Sequence, residues 1–200
     1  MEIETELYKQ NPWWEGKFDE KSIRRDIYLN EIFKNIKSRE IIILTGLRRI
    51  GKTTILKQAI NQLLTNKIKP ENVFFISLDS FNLLEHSIHQ LIEEYRKLYK
   101  KSASDFFYLF LDEVASRENF EQELKSLYDN ENIKIICSSS IATLMRDKKA
   151  YLTGRTRTIE IMPLTFQEFL QFKGAKISKA DKAKLESYFK DYLKIGGIPY

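Results

Sequence analysis

The stretch Ile41 to Leu56 reads IIILTGLRRIGKTTIL, and its middle places two glycines and three cations between two apolar segments. A short β-branched run ends at Gly46, and apolar residues resume at the end of the stretch. The segment Gly46 to Thr53, GLRRIGKT, fits the pattern G-x-x-x-x-G-K-[ST] of a phosphate-binding loop between a strand and a helix. The stretch therefore predicts a strand over Ile41 to Thr45, a phosphate-binding loop, and a helix over Gly51 to Leu64.

Each residue type in this loop suits the binding of a triphosphate. Gly46 and Gly51 allow backbone angles that other residues rarely adopt, so several N–H groups can point at one anion. Lys52 is predicted to reach the β- and γ-phosphates, and the Thr53 hydroxyl to ligate Mg²⁺. The two arginines between the glycines either add positive potential near the phosphates or face solvent. The predicted nucleotide-binding residues of the loop are Gly46, Leu47, Arg48, Arg49, Ile50, Gly51, Lys52, Thr53 and Thr54.

Apolar strands alternate with amphipathic helices on both sides of this stretch. Strands that are apolar on both faces and alternate with helices predict a parallel sheet covered on each side, which is a three-layer αβα fold of the α/β class. The predicted strands are Ile41 to Thr45, Asn72 to Leu78, Phe106 to Leu111, Ile133 to Cys137 and Thr156 to Ile161. The predicted helices are about 20 to 37, Gly51 to Leu64, Leu83 to Tyr99, Arg117 to Tyr128 and Ser139 to Met145.

An acidic pair follows the third predicted strand. The run FFYLFLDEV places Asp112 and Glu113 at the carboxyl end of that strand, which is the edge where such sheets bind ligands. Asp112 is expected to hold Mg²⁺ through water, and Glu113 to polarise a water for attack on the γ-phosphate. Together with the loop, the pair predicts a Mg²⁺-dependent ATP hydrolase that takes ATP, ADP and Mg²⁺ as ligands. No N-K-x-D guanine-reading element is visible in the sequence, which favours adenine.

The acidic strand is the third strand of the chain and not the second. This arrangement resembles the division of P-loop ATPases that has an added strand between the P-loop strand and the Asp strand, and it implies the sheet order 5-1-4-3-2. The added strand would be Ile133 to Cys137, and its end, CSSS, would lie beside the γ-phosphate. Ser139 or its neighbours could then sense the phosphate through a hydroxyl, or a serine here could cap the following helix.

Two helices without an intervening strand follow the predicted sheet. Thr165 and Glu168 form a capping box that opens a helix to about Phe172, and Ser178 caps a second helix that runs to Ile195. This change of character predicts the start of a small helical lid. We therefore expect an N-terminal segment and helix over residues 1–37, a P-loop ATPase core over 38–162 and the start of the lid over 163–200.

The composition excludes some classes of protein. Among 200 residues there is one cysteine, Cys137, so no disulfide can form within the chain, as in proteins of a reducing cytosol. No apolar run approaches the roughly 18 residues of a membrane helix, and the start of the chain lacks the apolar region of a signal peptide. A cytoplasmic protein without a membrane partner is expected. The formal charge of +5 is compatible with nucleotides or nucleic acid but establishes neither.

Seven short motifs are spread over nearly the whole chain. They are NPWW at Asn11 to Trp14, GLRRIGKTT at Gly46 to Thr54, DE at Asp112-Glu113, SSS at Ser138 to Ser140, GR at Gly154-Arg155, PLTFQEF at Pro163 to Phe169 and GGIP at Gly196 to Pro199. Together they resemble an archaeal and bacterial family of AAA+-like P-loop ATPases, and PLTFQEF combined with GGIP is the most specific part. The sequence departs from the family at Ser138, where members commonly have glycine.

The resemblance implies roles that the residues alone do not. Members resemble signal-transducing ATPases in which the proline of a G-x-P element touches the adenine, a role that would fall to Pro199. Arg155 resembles an arginine finger, often supplied by a neighbouring subunit, which would imply a homo-oligomer; the alternative is a surface arginine. Family members continue into a C-terminal domain of poorly defined function. The chain is therefore expected to be the N-terminal part of a longer protein whose missing domain sets its partner.

Several alternatives stay open at this point. Trp13 and Trp14 either pack on the domain or line a base pocket, and Arg24 and Arg25 could act near the adenine or the phosphates. The chain could be an ATP hydrolase, a slow nucleotide-dependent switch, or a nucleic-acid-associated motor or loader. The positive charge motivates the last of these, although no recognised DNA-reading motif is present in the sequence.

Overall fold

Five parallel strands form one sheet in the computed structural model, which describes residues 3–140, 151–175 and 181–198. The strands are β1 (Ile41–Thr45), β2 (Val73–Ser77), β3 (Phe107–Asp112), β4 (Ile133–Ser139) and β5 (Thr156–Glu160). Their order is β2-β3-β4-β1-β5, which confirms the predicted order read from the other edge. Because all the strands are parallel, the ends of β1, β3 and β4 lie at the same edge of the sheet.

Helices cover both faces of this sheet, as predicted. Those within the described residues are α1 (Ile3–Gln10), α2 (Asp26–Lys34), α3 (Lys52–Thr65), α4 (Ile88–Tyr99), α5 (Phe120–Asn130), α6 (Phe166–Phe172) and α7 (Lys182–Ile195). Alternate residues of β1 belong to two separate cores, with Ile41 and Ile43 on one face and Ile42 and Leu44 on the other. All four side chains are essentially inaccessible to solvent, so the sheet is the middle layer of an αβα sandwich.

Two predicted helices were too long. The helix predicted over about 20 to 37 is reduced to α2, because the residues before Asp26 form an irregular segment. The helix predicted from Leu83 begins only at Ile88, because Ser87 and Gln90 form a reciprocal capping box at that point. The helix predicted over Ser139 to Met145 falls mainly on residues 141–150, and the Ser178 cap on 176–180, so both lie outside the described residues.

The NPWW motif protects the edge of the sheet at β2. The buried side-chain amide of Asn11 donates to the Phe75 carbonyl (2.9 Å) and accepts from the Phe75 N–H (2.7 Å), as a neighbouring strand would. The indole N–H groups of Trp13 and Trp14 both donate to the Val73 carbonyl at 3.0 Å. Exposed strand edges invite association with other chains, and these side chains cover this one. The structure therefore supports a packing role for Trp13 and Trp14.

The segment after β5 leads into two helices that pack on each other. The predicted capping box of Thr165 and Glu168 is confirmed at the start of α6. Phe166 contacts Phe189 of α7 with ring centroids 5.1 Å apart. The segment between β5 and α6 also meets the GGIP motif, since the Leu164 N–H donates to the Gly197 carbonyl at 2.6 Å. The boundaries 1–37, 38–162 and 163–200 remain predictions.

Candidate functional site

The loop between β1 and α3 has the strained backbone that its glycines were predicted to allow. The φ angles are +146° at Gly46, +61° at Arg49 and +96° at Gly51. A Cβ added to Gly46 would lie 2.5 Å from the Ile161 carbonyl oxygen, so a larger residue would displace the segment that leads to α6. Gly51 is the N-cap of α3 and offers no side chain to the first-turn N–H groups, which leaves them for an anion.

Lys52 lies under this loop and is almost completely buried. Its ammonium donates to the carbonyls of Gly46 (3.2 Å) and Leu47 (3.0 Å) and to the Ser140 hydroxyl (2.7 Å). Its Nζ is also 3.6 Å from a Glu113 carboxylate oxygen. Burial lowers the pKa of Lys52, and the nearby carboxylates of Glu113 and Asp112 oppose that shift. The motif lysine thus places a positive charge against the loop backbone.

Asp112 and Thr53 meet where β3 ends beside the start of α3. The Thr53 hydroxyl donates to Asp112 Oδ2 at 2.7 Å, and the Ser138 hydroxyl donates to the other carboxylate oxygen. Burial raises the pKa of Asp112, although the hydrogen bonds from Ser138 and Thr53 act in the opposite direction. The two predicted metal ligands are therefore in direct contact, and they present oxygen atoms at a buried, negatively charged position.

Glu113 is held by two serines at the end of β4. It has a left-handed backbone (φ +53°), and its N–H donates to the Ser138 hydroxyl at 3.0 Å. Its carboxylate accepts the Ser140 N–H at 3.0 Å and also the Ser140 hydroxyl. Ser140 therefore bridges Lys52 and Glu113, so the serine facing the proposed phosphate position is Ser140. Ser139, the predicted sensor, precedes it on a strand where side chains alternate between faces, and is itself fully buried.

The other predicted site residues are less closely joined to this cluster. Leu47, Arg48 and Arg49 are exposed, Ile50 is fully buried, and Thr54 is half-buried at the start of α3. Arg155 precedes β5 at the opposite end of the sheet, where its Nε is 3.1 Å from an Asp129 carboxylate oxygen. Pro199 lies outside the described residues.

A cavity of about 300 Å³ is lined by Lys52, Thr53 and Glu113 of the cluster and by side chains that sequence reasoning had not placed there, whereas Asp112 lines a second cavity on the other side of Thr53. The loop and α3 line its polar end, together with Glu113. Ser22, Ile23 and Phe172 line the other end, with Gln58 between them. The sequence signal for Ile23 and Phe172 was weak, because they lie about 150 residues apart and belong to elements without a ligand-binding motif. The lining is therefore mixed: it combines the charged and hydroxyl groups of the loop, α3 and Arg25 with the apolar side chains of Ile23 and Phe172.

A larger cavity of about 620 Å³ lies at the other edge of the sheet, around the start of β4. Its buried cation, Lys134, donates to the carbonyls of Asn35 (3.0 Å), Ser38 (2.7 Å) and Glu40 (2.6 Å). Burial lowers the pKa of Lys134 to about 8, and the hydrogen-bonded carbonyls fix it as a cap on the turn after α2. We therefore infer that Lys134 stabilises this turn and takes no part in a reaction.

Replacing Asp112 by asparagine is expected to stabilise the protein without ligand. The raised pKa of Asp112 means that its charged form is disfavoured on folding, so the wild type loses stability as pH rises through the folded pKa. For Asp112→Asn we expect the melting temperature near pH 7 to rise by roughly 2–4 °C, equivalent to about 1 kcal/mol for a chain of this size. Calorimetric melting at pH values between about 4 and 7 checks this, because the difference should shrink as the wild-type carboxyl becomes protonated.

Asp191→Asn, on the exposed part of α7, serves as the matched control and should leave melting unchanged. A melting temperature for Asp112→Asn below that of wild type near pH 7 would contradict the unfavourable burial of this charge.

The fold and the cluster together define a class of protein. A phosphate-binding loop on β1, an acidic end on β3 and the intervening strand β4 are the parts of an AAA+-like P-loop ATPase fold. A family described as AAA domain matches residues 38–170, which include the loop, both carboxylates and all five strands. The chain belongs to this AAA domain family.

Relatives and solved structures agree with that assignment. An uncharacterized protein of Methanocaldococcus jannaschii is 32% identical over 184 residues, which are 90% of this chain and 39% of the relative. The chain spans less than half the length of the curated relatives it matches. The Saccharomyces cerevisiae Hsp104–ADP complex superposes with a TM-score of 0.61 at 19% identity, covering 100% of this chain and 31% of that one. A Walker-type ATPase of Pyrococcus abyssi superposes with a TM-score of 0.56 at 14% identity, covering 90% and 65%. At these identities the structural likeness concerns the fold alone.

No helix within the described ranges is long and apolar enough to cross a membrane.

Proposed function

We propose that this chain binds Mg²⁺-ATP in the 300 Å³ cavity and hydrolyses it. The observation that carries the proposal is the convergence of Lys52, Thr53, Asp112 and Glu113 at one edge of a parallel sheet. The contacts that join them are the 2.7 Å hydrogen bond between Thr53 and Asp112 and the 3.6 Å approach of Lys52 to Glu113. The AAA domain family and the ADP bound in the structurally similar Hsp104 complex are consistent with a nucleotide as the ligand.

The phosphates would bind at the loop and at the first turn of α3. N–H groups at a helix start attract anions, and the ammonium of Lys52 adds charge-assisted hydrogen bonds. To reach a phosphate, Lys52 would exchange its bonds to the Gly46 and Leu47 carbonyls for bonds to the ligand. The apolar cavity end at Ile23 and Phe172 would receive the nucleoside. Pro199 remains a proposed adenine contact on the basis of the family resemblance.

Thr53 and Asp112 fit a magnesium ion by their chemistry. Mg²⁺ prefers oxygen ligands, and these residues supply a hydroxyl and a carboxylate within 2.7 Å of each other. A cation would also favour the charged form of Asp112, which burial alone disfavours. When bound, the metal would neutralise charge on the phosphate oxygens.

Glu113 would act as the base that takes a proton from the attacking water. Its carboxylate stands beside Lys52, at the end of the cavity assigned to the phosphates. Ser140 donates to both carboxylate oxygens through its N–H and hydroxyl, which holds Glu113 in one orientation while each oxygen keeps a lone pair for a water. A tether that restricts the base in this way would favour the second candidate function, a slow nucleotide-dependent switch.

A role of Arg155 between subunits is a further proposal. The residue lies at the opposite end of β5 from the loop, and a five-residue strand spans roughly 16 Å, too far for its side chain to reach the nucleotide of its own chain. Its contact would therefore be with a neighbouring copy. A monomer in Mg²⁺-ATP whose hydrolysis is unaffected by Arg155→Ala would exclude this role.

Calorimetric titration with Mg²⁺-ATP and a phosphate-release assay test the proposal directly. We expect saturable binding, weaker binding without Mg²⁺, and phosphate release that requires the metal. Release slower than about one turnover per hour would favour the switch, since enzymes typically turn over far faster. If well-folded protein binds neither Mg²⁺-ATP nor Mg²⁺-ADP, the proposal is wrong.

A further inference from the structure

Arg25 is a buried arginine at the centre of contacts between distant parts of the chain. It lies immediately before α2 and is only 4% exposed. Its guanidinium makes two hydrogen bonds to the Glu168 carboxylate, at 2.8 and 3.2 Å. It also donates to the Met162 carbonyl at 3.0 Å and to the Ile50 carbonyl at 3.4 Å. One side chain thus joins the N-terminal segment, the phosphate-binding loop, the segment after β5 and helix α6.

Tyr28 strengthens the same junction. The Arg25 guanidinium lies over the Tyr28 ring, 4.6 Å from its centroid, and the Tyr28 hydroxyl accepts the Met162 N–H at 3.0 Å. The Met162 backbone is therefore hydrogen-bonded at both its N–H and its carbonyl group. Burial alone would raise the pKa of Glu168, but hydrogen bonds from Arg25 and Thr165 outweigh it and the pKa is lowered. The pair is consequently charged at neutral pH, and a two-point guanidinium–carboxylate contact fixes the orientation of both partners.

This junction joins the two parts of the chain whose side chains line the cavity at Ile23 and Phe172. Ser22 and Ile23 form one wall, and Gln58 holds them by donating to the Ser22 hydroxyl (2.7 Å) and the Ile23 carbonyl (2.9 Å). Phe172 forms the other wall, one helical turn after Glu168 on α6. The ion pair between Arg25 and Glu168 is the direct link between the segment that carries the first wall and the helix that carries the second.

We infer that Arg25 and Glu168 are positioning residues that hold α6 against the N-terminal segment, so that the cavity closes on the nucleoside part of the ligand. The inference rests on the proposed nucleotide binding and specifies which residues make the protein prefer a nucleotide over a bare polyphosphate. The phosphate end of the cavity is lined by residues of the loop and α3 and by Glu113; Arg25 also lines the cavity and reaches the loop through the Ile50 carbonyl, whereas Glu168 is not among the lining residues. Loss of the ion pair should therefore weaken the nucleoside contribution to binding and spare the triphosphate contribution.

Calorimetric titration with two ligands, Mg²⁺-ATP and Mg²⁺-tripolyphosphate, separates these contributions. Glu168→Gln is the main variant, because glutamine keeps the size of the side chain and can keep the capping box at Thr165. We expect its affinity for ATP to fall on the order of tenfold, as for the loss of one charge-assisted contact. We expect its affinity for tripolyphosphate to stay within about twofold of wild type.

Arg24→Gln is the matched control, since Arg24 is adjacent and also paired, to Asp26 (3.0 Å) and Gln62 (3.0 Å), but lies on the surface. It should leave both affinities unchanged. Hydrogen exchange over residues 161–175 gives a second readout that does not depend on affinity. ATP should slow exchange there in the wild type, whereas tripolyphosphate should not, and Glu168→Gln should lose the ATP effect.

The outcomes distinguish the inference from the proposed function. Equal weakening of ATP and tripolyphosphate would mean that the ion pair acts through the loop or the fold, and unchanged ATP affinity would mean that it does not position the walls; either overturns the inference. A wild-type protein that binds neither ligand would instead refute the proposed nucleotide binding. A variant that fails to fold is identified by its melting curve, and the inference is then overturned if ATP does not slow exchange over residues 161–175 of the wild type more than tripolyphosphate does.

Discussion

Replacing Glu113 by glutamine should slow ATP hydrolysis by about 10²- to 10⁴-fold, the usual contribution of a general base, while ATP binding stays within about threefold of wild type. Glutamine has the size of glutamate and can still pair with Ser140, which contacts both carboxylate oxygens. It cannot accept a proton from water. Single-turnover hydrolysis of labelled ATP with Mg²⁺ measures the chemical step, and titration with a fluorescent ATP analogue measures binding.

Glu118→Gln is the matched control for this variant. Glu118 is an exposed acid five residues along the chain from Glu113, and its substitution should change neither rate nor affinity. A Glu113→Gln protein that turns over at the wild-type rate would show that Glu113 is not the base. If Glu113→Gln is slow as expected, removing the Ser140 hydroxyl is the next test, because faster hydrolysis by Ser140→Ala would indicate that the tether holds the base back.

The sheet order was implied by the resemblance to P-loop ATPases, whereas the meeting of the loop with the acidic strand could be read from the sequence because both motifs are encoded locally. The strand β1 is apolar on both faces, and the glycines and Lys52 follow it within seven residues. The DE pair likewise ends a strand that is almost wholly buried. Parallel strands bring such ends to one edge, so position along the strand was sufficient to predict that the carboxylates and the loop would meet.

The contacts of the three serines could not be read in the same way. Which of three consecutive serines faces the loop depends on the face that each side chain takes in β4. In a half-exposed strand the alternation of apolar and polar residues reveals the faces, but β4 is buried on both. Only the contacts settle it: Ser138 donates to Asp112, and Ser140, two residues later, donates to Glu113.

The N-terminal segment was also hidden from sequence reasoning, because its contacts are long-range. Asn11 pairs with Phe75 across 64 positions, and Arg25 with Glu168 across 143. Neither pair has a local pattern, since a lone asparagine or arginine in an irregular segment is typical of a solvated surface. Their burial distinguishes them, and it places the start of the chain at both the sheet edge and the cavity lined by Ile23 and Phe172.

Replacing Lys52 by methionine should weaken Mg²⁺-ATP binding by about 2–3 kcal/mol, or roughly 30- to 150-fold, because a charged donor to the triphosphate is lost. Methionine fills a similar volume and carries no charge. The lowered pKa of Lys52 shows that burial disfavours its ammonium, so the wild type gains stability as pH rises through the folded pKa toward the unfolded value. We therefore expect the melting temperature of Lys52→Met near pH 7 to lie at most a few degrees below that of the wild type. Titration calorimetry and thermal melting of the same samples separate lost binding from lost folding.

Lys190→Met, on the exposed surface of α7, controls for the removal of one positive charge and should bind ATP as the wild type does. The cavity makes a second comparison possible, since Lys52 belongs to its phosphate end. Tripolyphosphate binding should weaken in Lys52→Met as much as ATP binding does, in contrast to the selective loss expected for Glu168→Gln. If Lys52→Met binds both ligands within about threefold of wild type, the loop between Gly46 and Thr53 is not the phosphate site.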